Sequence, residues 1–221
     1  MQTFDTPAAI TAVLDVPGGR VQLIAAERTD TTVEVRPADP GKNRDVQAAE
    51  RTTVSYADGV LRIVTPAAGH QLLGPTGSLE VTVRLPAGSA VEGRAAAAEL
   101  RAVGRLGEIA FEGAYRQTKI DEAAGLHLTA VDGDVEVGRL AGPARISTTR
   151  GDIRITEAHR GTVELATQSG NITVGAAAGV SAALDAGTGH GRIGNALRND
   201  GTTVLDIRAT TSHGDITAHS L

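Results

Sequence analysis

The sequence of 221 residues contains no cysteine and no tryptophan, and it has only two tyrosines and two phenylalanines. Without cysteine, the chain has neither disulfides nor thiolate chemistry, which is compatible with either side of a membrane. Aromatic residues make up only 2% of the chain, so there is little bulk to fill a thick core. The 41% of hydrophobic residues must therefore build a thin interior from Val, Ile, Leu and Ala, as in narrow stacked sheets.

Positive charge is also scarce, with 21 Lys and Arg against 26 Asp and Glu and a net charge of −5. A nucleic-acid surface needs clustered Lys and Arg, and single-strand binding needs stacking aromatics. Lysine occurs only at Lys42 and Lys119, so we expect no nucleic-acid partner.

Long apolar runs are absent from the sequence. No stretch approaches the roughly 18 apolar residues of a membrane span, so we expect no direct membrane span. The first residues, Met1 to Asp5, lack the basic start and apolar stretch of a signal peptide. We expect a cytoplasmic protein, extracellular only if it is exported by another route.

Glycine, by contrast, is abundant at 27 residues, and six of them mark a repeat of 18 to 26 residues. A β-branched apolar residue stands two positions after each glycine, and apolar residues seven and five positions before it enclose a polar one. This period of two is typical of a strand with one buried face, and glycine supplies the positive φ of a turn. The predicted turn glycines are Gly107, Gly133, Gly151, Gly170, Gly191 and Gly214. The apolar residues two positions after them are Ile109, Val135, Ile153, Ile172, Ile193 and Ile216.

The repeat predicts an all-β protein whose units are strand, turn, strand and second turn. Such units can stack in parallel as a β-solenoid or β-helix, with like residues about 4.8 Å apart. Alternatively, steps such as Asp132-Gly133 can close hairpins of an antiparallel meander or sandwich. We favour the solenoid over residues 91–221, because stacking explains why equivalent positions carry like residues. Residues 1–90 carry strand-like segments outside this frame, with a loop from Arg36 to about Ala49 and another from Pro66 to Gly77. We predict an N-terminal β cap there, in one continuous domain with the solenoid.

The chain resembles a known family in the segment Val83-Arg84-Leu85-Pro86-Ala87-Gly88-Ser89, in the Gly-Asp-Ile or Gly-Asp-Val units at 133–135, 151–153 and 214–216, and in the Gly-Asn-Ile unit at 170–172. It is the bacterial "putative adhesin" family of β-strand-repeat domains. The resemblance implies a solenoid-like β fold and an adhesion or scaffold role, and this family brings no catalytic residues with it.

Two sets of turn residues are candidate metal ligands. Asp134, Asp152 and Asp215 directly follow turn glycines, and stacked carboxylates offer the oxygen ligands that Ca²⁺ prefers. Asp is also a common turn residue because its side chain accepts nearby backbone N–H groups, and we favour this interpretation. His190 and His213 precede two of the glycines. A pair of imidazoles without a third ligand makes a poor metal site, so we predict exposed turn histidines and no cofactor.

Catalytic motifs are missing from the sequence. It has no Gly-x-Ser-x-Gly elbow, no cysteine nucleophile and no phosphate-binding Walker loop. We expect a non-enzymatic structural or interaction protein that acts by surface or edge-strand association with a protein whose identity the sequence does not give. The alternatives are a polysaccharide-active or polysaccharide-binding β-helix, a cation-dependent adhesin and a polymerising, bactofilin-like scaffold.

The last repeat has no evident capping element after it. Its strands contain Asp206-Ile207-Arg208 and Asp215-Ile216-Thr217. Because an uncovered strand exposes unpaired N–H and C=O groups, we predict homo-oligomers that form through an exposed C-terminal strand edge.

Overall fold

A computed structural model of the chain describes residues 1–66 and 77–221, in which sixteen strands join in one sheet. Between β3 and β4 lies the helix α1 (Asn43–Arg51). The strands are β1 (Gln2–Asp5), β2 (Thr11–Ala26), β3 (Asp30–Pro37), β4 (Thr53–Ala57), β5 (Val60–Val64), β6 (Leu79–Pro86), β7 (Ala90–Asp132), β8 (Val135–Leu140), β9 (Ala144–Arg150), β10 (Ile153–Ala158), β11 (Gly161–Ser169), β12 (Ile172–Ala176), β13 (Ala182–His190), β14 (Ile193–Ala196), β15 (Leu205–His213) and β16 (Ile216–Ser220).

The repeats stack as a β-solenoid. Each rung is one turn of the solenoid and contains two strands that meet at a corner. The strand before the corner belongs to a front ladder, and the strand after it belongs to a back ladder. The front ladder runs from the end of β7 through β9, β11 and β15 to β13, and every pair is parallel. The back ladder runs from β7 through β8, β10, β12 and β16 to β14, again with parallel pairs. The solenoid prediction is confirmed, and the antiparallel meander is wrong for this region.

The interior is one narrow core that follows the predicted columns. Val135, Ile153 and Ile172 are direct register neighbours and are almost fully buried. Alternate residues point outward, as Arg154 does. A single hydrophobic cluster runs from Ile10 to Ala218, so these small aliphatic side chains fill one continuous seam.

The first turn glycine was wrongly predicted. Gly107 lies inside the long bent strand β7 and donates its N–H to the Ser89 carbonyl oxygen at 2.9 Å. The residue stacked next to Gly133 is Arg116, which has a left-handed φ of 67°. Accordingly Thr118, not Ile109, is the register neighbour of Val135. The glycine spacing misled because a non-glycine residue holds this corner.

The stack also continues into the first 90 residues. The bent strand β2 pairs in parallel with the start of β7, and β5 and β6 pair in parallel with the two halves of β2. Only beyond these do β4, β3 and β1 add antiparallel partners. The solenoid therefore crosses residue 90, and the antiparallel strands cover its N-terminal end.

The helix α1 stands where the sequence predicts a loop. Ala48 is fully buried, and so is most of Asp45. The Asp45 Oδ1 accepts the N–H of Ser78 at 2.9 Å, which ties the helix to the segment before β6. Most of the second predicted loop, from Pro66 to Gly77, lies outside the described residues.

Candidate interaction site

The corner between the front and back ladders is built on stacked glycine backbones. Gly133 and Gly151 have φ values of 114° and 130°. A Cβ added to Gly151 would lie 2.2 Å from the Gly133 carbonyl oxygen. Only glycine allows the rungs to approach so closely here. The spatial order of the stacked glycines is Gly133, Gly151, Gly170, Gly214 and Gly191.

The aspartates after these glycines form a ladder of side-chain to backbone hydrogen bonds. Asp134 Oδ1 accepts the Asp152 N–H at 2.9 Å, and Asp152 Oδ1 accepts the Asn171 N–H at 2.7 Å. Asn171 Oδ1 then accepts the Asp215 N–H at 2.9 Å, and Asp215 Oδ1 accepts the Arg192 N–H at 2.8 Å. Each side chain thus satisfies a donor of the next rung. We call this row the corner ladder.

The last bonds of the corner ladder perturb one carboxyl group. The backbone N–H of Arg192, and next its guanidinium group, hold the pKa of the Asp215 carboxyl below its ordinary value. The guanidinium nitrogen lies 3.2 Å from Asp215 Oδ2.

On the inner side of the corner, threonines bind the glycine carbonyl groups. Thr167, Thr211 and Thr188 donate their hydroxyl hydrogens to the carbonyl oxygens of Gly151, Gly170 and Gly214 at 3.2, 3.0 and 2.9 Å. These hydroxyl groups thereby satisfy carbonyl oxygens at the corner, and Thr167 and Thr211 are themselves buried.

The predicted metal ligands lie on opposite sides of the corner glycines. The Asp134, Asp152 and Asp215 side chains are engaged in the corner ladder. His190 and His213 are brought together on β13 and β15, with parallel rings whose centroids are 4.8 Å apart. Within residues 1–66 and 77–221, no group of three or more His, Asp or Glu side chains is placed to hold a metal ion.

Charged residues on the outer face of the front ladder line a shallow groove of about 440 Å³. Glu164 lies 3.1 Å from Arg145 and 3.6 Å from Arg208. Because the carboxylate stands between the two guanidinium groups, the row largely compensates its own charge.

The stack ends at β13 and β14, which we call the end rung. The predicted open edge, at Asp206-Ile207-Arg208 and Asp215-Ile216-Thr217, is wrong. β15 lies between β11 and β13, and β16 lies between β12 and β14. Residues 197–204 carry the chain from the end rung back into the stack, so the last repeat is inserted below the one that precedes it.

Among the described residues, each strand of the end rung has a partner on one side only. The Ser181 carbonyl oxygen points toward β15, where it accepts the Val204 N–H at 3.0 Å. The Ala182 N–H points the other way, to the Arg198 carbonyl oxygen at 3.0 Å. Because backbone groups alternate along a strand, Leu184 and Ala186 direct their N–H and C=O groups away from β15.

The end rung also uncovers the apolar interior. Leu184 and Ala186 are only partly buried, whereas Ile207, the register neighbour of Leu184, is fully buried. Ile193 is 47% exposed, although Ile153 in the same column is 0% exposed. Unpaired backbone and open apolar columns therefore coincide at this end of the stack.

A family model covers nearly the whole chain. The family model described as Toastrack DUF4097 matches residues 12–220. Among curated proteins, none matches the chain.

No helix in the described part of the chain is long and apolar enough to cross a membrane.

Three solved structures are similar to the chain over nearly its whole length. A "putative cell adhesion protein" from Clostridium sporogenes shares 12% sequence identity with this chain at a TM-score of 0.41. The alignment covers 100% of this chain and 98% of the other. A "putative adhesin" from Bacteroides fragilis shares 14% identity with a TM-score of 0.46, and one from Parabacteroides distasonis shares 16% with a TM-score of 0.45. For each of these two, 98% of this chain and 95% of the other are covered.

Proposed function

Since the chain belongs to the Toastrack DUF4097 family, we propose that it is a non-enzymatic, adhesin-like scaffold that binds a polypeptide strand along its end rung. The observation that carries the proposal is the coincidence of unpaired backbone at Leu184 and Ala186 with the exposed side chain of Ile193. In the preceding rung, the register neighbours Ile207 and Ile216 are buried, and their strands are paired on both sides.

Strand addition fits this edge chemically. Main-chain hydrogen bonds supply affinity in such complexes, and alternate side chains supply specificity. A bound strand would pair with the backbone of β13 and cover the inward column that begins with Leu184. The matching strand has small or apolar residues at alternate positions and no charge on its inward face, because an unpaired charge there would be desolvated.

Two alternatives have less support at this edge. Polysaccharide recognition relies on aromatic stacking, and the two tyrosines lie elsewhere, on β4 and β7. Cation-dependent adhesion would need free carboxylate oxygens, whereas the corner ladder already uses the Oδ1 atoms of Asp134, Asp152 and Asp215. Strand pairing needs neither group, and it works equally in oxidising and reducing compartments because the chain has no cysteine.

Photocrosslinking in cells that produce the protein tests the proposal. A photoreactive amino acid replaces Ile193 in the end rung, and the matched control replaces Ala166, which is exposed on the outer face of β11. We expect adducts with polypeptides, including a second copy of the chain, at position 193 and not at position 166. Equal yields at both positions, or no polypeptide adduct at position 193, would overturn the proposal.

A further inference from the structure

The corner ladder ends at Arg192 in a way that disfavours another parallel rung. In the rungs below, Asp152, Asn171 and Asp215 each offer a side-chain oxygen to the backbone N–H of the next rung. Arg192 occupies the same column, and an arginine side chain has donors but no acceptor. A further parallel rung would find no acceptor for its N–H, because the Arg192 side chain has only donors and its guanidinium group contacts Asp215 Oδ2 of the preceding rung. Head-to-tail growth is therefore disfavoured at this end.

An antiparallel strand is free of this requirement, because it does not repeat the corner. In an antiparallel pair, residues directly opposite each other point to the same face of the sheet. If two copies of β13 pair with their inward faces matched, one residue must face its own copy, and the two-fold axis passes between these two residues. The middle residue of β13 is Ala186. Centred there, Leu184 faces Thr188 of the second copy inside, and Asp185 faces Gly187 of the second copy outside.

The backbone of β13 suits this register. Leu184 and Ala186 direct their N–H and C=O groups toward the open side, as the opposite directions of Ser181 and Ala182 indicate. These are the positions that must exchange hydrogen bonds when Ala186 faces its own copy. Because the Arg198 carbonyl already holds the Ala182 N–H, the paired segment is limited to Leu184 through Thr188.

Charge also favours a second copy in this register. Like charges directly opposite each other destabilise a strand pair. A register centred on Asp185 would oppose two carboxylates, whereas the register centred on Ala186 places Asp185 opposite a glycine. In residues 182–204, two acidic residues (Asp185 and Asp200) match two basic ones (Arg192 and Arg198). Two end rungs therefore do not repel each other by net charge.

We propose that the strand bound by the end rung is β13 of a second copy of this chain. The two copies form a two-fold dimer, end to end, with antiparallel β13 strands centred on Ala186. This inference rests on the proposed function for its edge, and it adds the partner and the register.

Two substitutions at Gly187 test the register without disturbing the fold. A Cβ at Gly187 would meet no atom within 4 Å, and the backbone there has no positive φ. Gly187→Asp places a carboxylate opposite Asp185 of the second copy, while Gly187→Lys places an ammonium group there. The contact occurs twice in the dimer, so we expect the dimer dissociation constant to rise roughly two- to thirtyfold for Gly187→Asp and to fall by a similar factor for Gly187→Lys.

The measurement is sedimentation velocity of the purified full chain over a wide range of concentrations. Thr217→Asp and Thr217→Lys serve as controls, since Thr217 is exposed on β16, which is paired on both sides and lies one rung inside the end rung. Shifts of opposite sign at position 187, with none at position 217, support the proposal. Shifts of equal sign at position 187, filaments instead of dimers, or a monomer at every concentration would overturn it.

The two proposals fail in different ways. If the purified chain stays monomeric while Ile193 crosslinks to another polypeptide in cells, strand binding stands and the self-pairing is wrong. If position 193 yields no polypeptide adduct at all, the proposed function itself is wrong.

Discussion

At the scale of single residues, the corner of each rung explains why glycine and aspartate recur together. The glycine lets two backbones approach within a distance that no Cβ tolerates, as at Gly151 over Gly133. The aspartate then accepts a backbone N–H from the rung above. Asn171 does the same with its amide oxygen. The Gly-Asp pair is therefore a device for stacking rungs, and its carboxylate charge is not needed for that role.

The corner ladder leads to a prediction for Asp152. Asp152→Ala leaves the Asn171 N–H without its acceptor, so we expect unfolding free energy to fall by about 1 kcal/mol. Asp152→Asn keeps an acceptor oxygen and should remain within about 0.5 kcal/mol of the parent. Urea denaturation measures both. Equal losses in the two variants would show that charge, not hydrogen bonding, matters at this position.

A second prediction compares two glycines. Gly151→Ala forces a left-handed φ on alanine and drives its Cβ into the Gly133 carbonyl oxygen, so we expect a loss of about 2 kcal/mol or more. Gly187→Ala meets open space and should change stability by less than about 0.5 kcal/mol. Thermal unfolding followed by circular dichroism compares them. A silent Gly151→Ala would contradict the close stacking of the corners.

At the scale of strands, burial alternates strictly, and this alternation fixes which side chains build the core. Ile153 is fully buried between Val135 and Ile172, whereas its neighbour Arg154 is exposed. Aspartate at position 153 would be desolvated without a partner, so Ile153→Asp should cost about 3 kcal/mol or more. Arg154→Asp should be nearly silent. Chemical denaturation distinguishes the two, and similar losses would mean that the inward face has been misassigned.

Strand-level features were the part of the fold that the sequence predicted well. Alternation around Gly133, Gly151 and Gly170 placed Val135, Ile153 and Ile172 in one seam, because burial acts on each strand locally. Two local features escaped prediction. Arg116 adopts a left-handed φ that spacing rules reserve for glycine, so the corner was assigned to Gly107. The short helix α1 buries little more than Asp45 and Ala48, too few residues for a helical pattern to stand out.

The order of the rungs could not be predicted, for a physical reason. Val163, Ile207 and Leu184 occupy the same column in three successive positions of the front ladder. Because their side chains are alike in size and polarity, a strand carrying any of them fits beside any other. Alternation thus specifies the inward face of a strand but not its neighbours. The candidate edge was accordingly assigned to the wrong repeat, although the uncapped end was expected.

At the scale of the whole molecule, acid should weaken the protein through carboxyl groups whose pKa values are lowered in the folded state. The Arg192 N–H, and next its guanidinium group, lower the pKa of Asp215, and the Arg28 side chain lowers the pKa of Asp30. The Gly41 N–H and next the Lys42 side chain lower the pKa of Asp39. The Thr202 N–H and next the Ser181 side chain lower the pKa of Asp200. A pKa below the unfolded value of 3.8 stabilises the fold above that pH. This contribution is lost as the pH falls below it.

We therefore expect the melting temperature to be insensitive to these groups between neutral pH and about pH 4.5 and to drop below about pH 4. Asp215→Asn keeps the acceptor for the Arg192 N–H but cannot titrate. The melting temperature of this variant should therefore fall less in acid than that of the parent. Melting curves from pH 7 to about pH 2.5 provide the measurement. If the melting temperatures of both proteins fall equally with pH, Asp215 does not contribute to the acid sensitivity.

The insertion of β15 and β16 beneath the end rung has a consequence for how the chain folds. A solenoid whose rungs follow the chain in order can grow by adding one turn at a time onto a finished platform. Here the surface that β13 and β14 must rest on belongs to residues 205–220, which follow them in the chain. Residues 182–196 therefore have no strand to pair with until residues 205–220 have paired with β11 and β12. Assembly at this end is therefore concerted over two turns, and a lesion in β15 should release both.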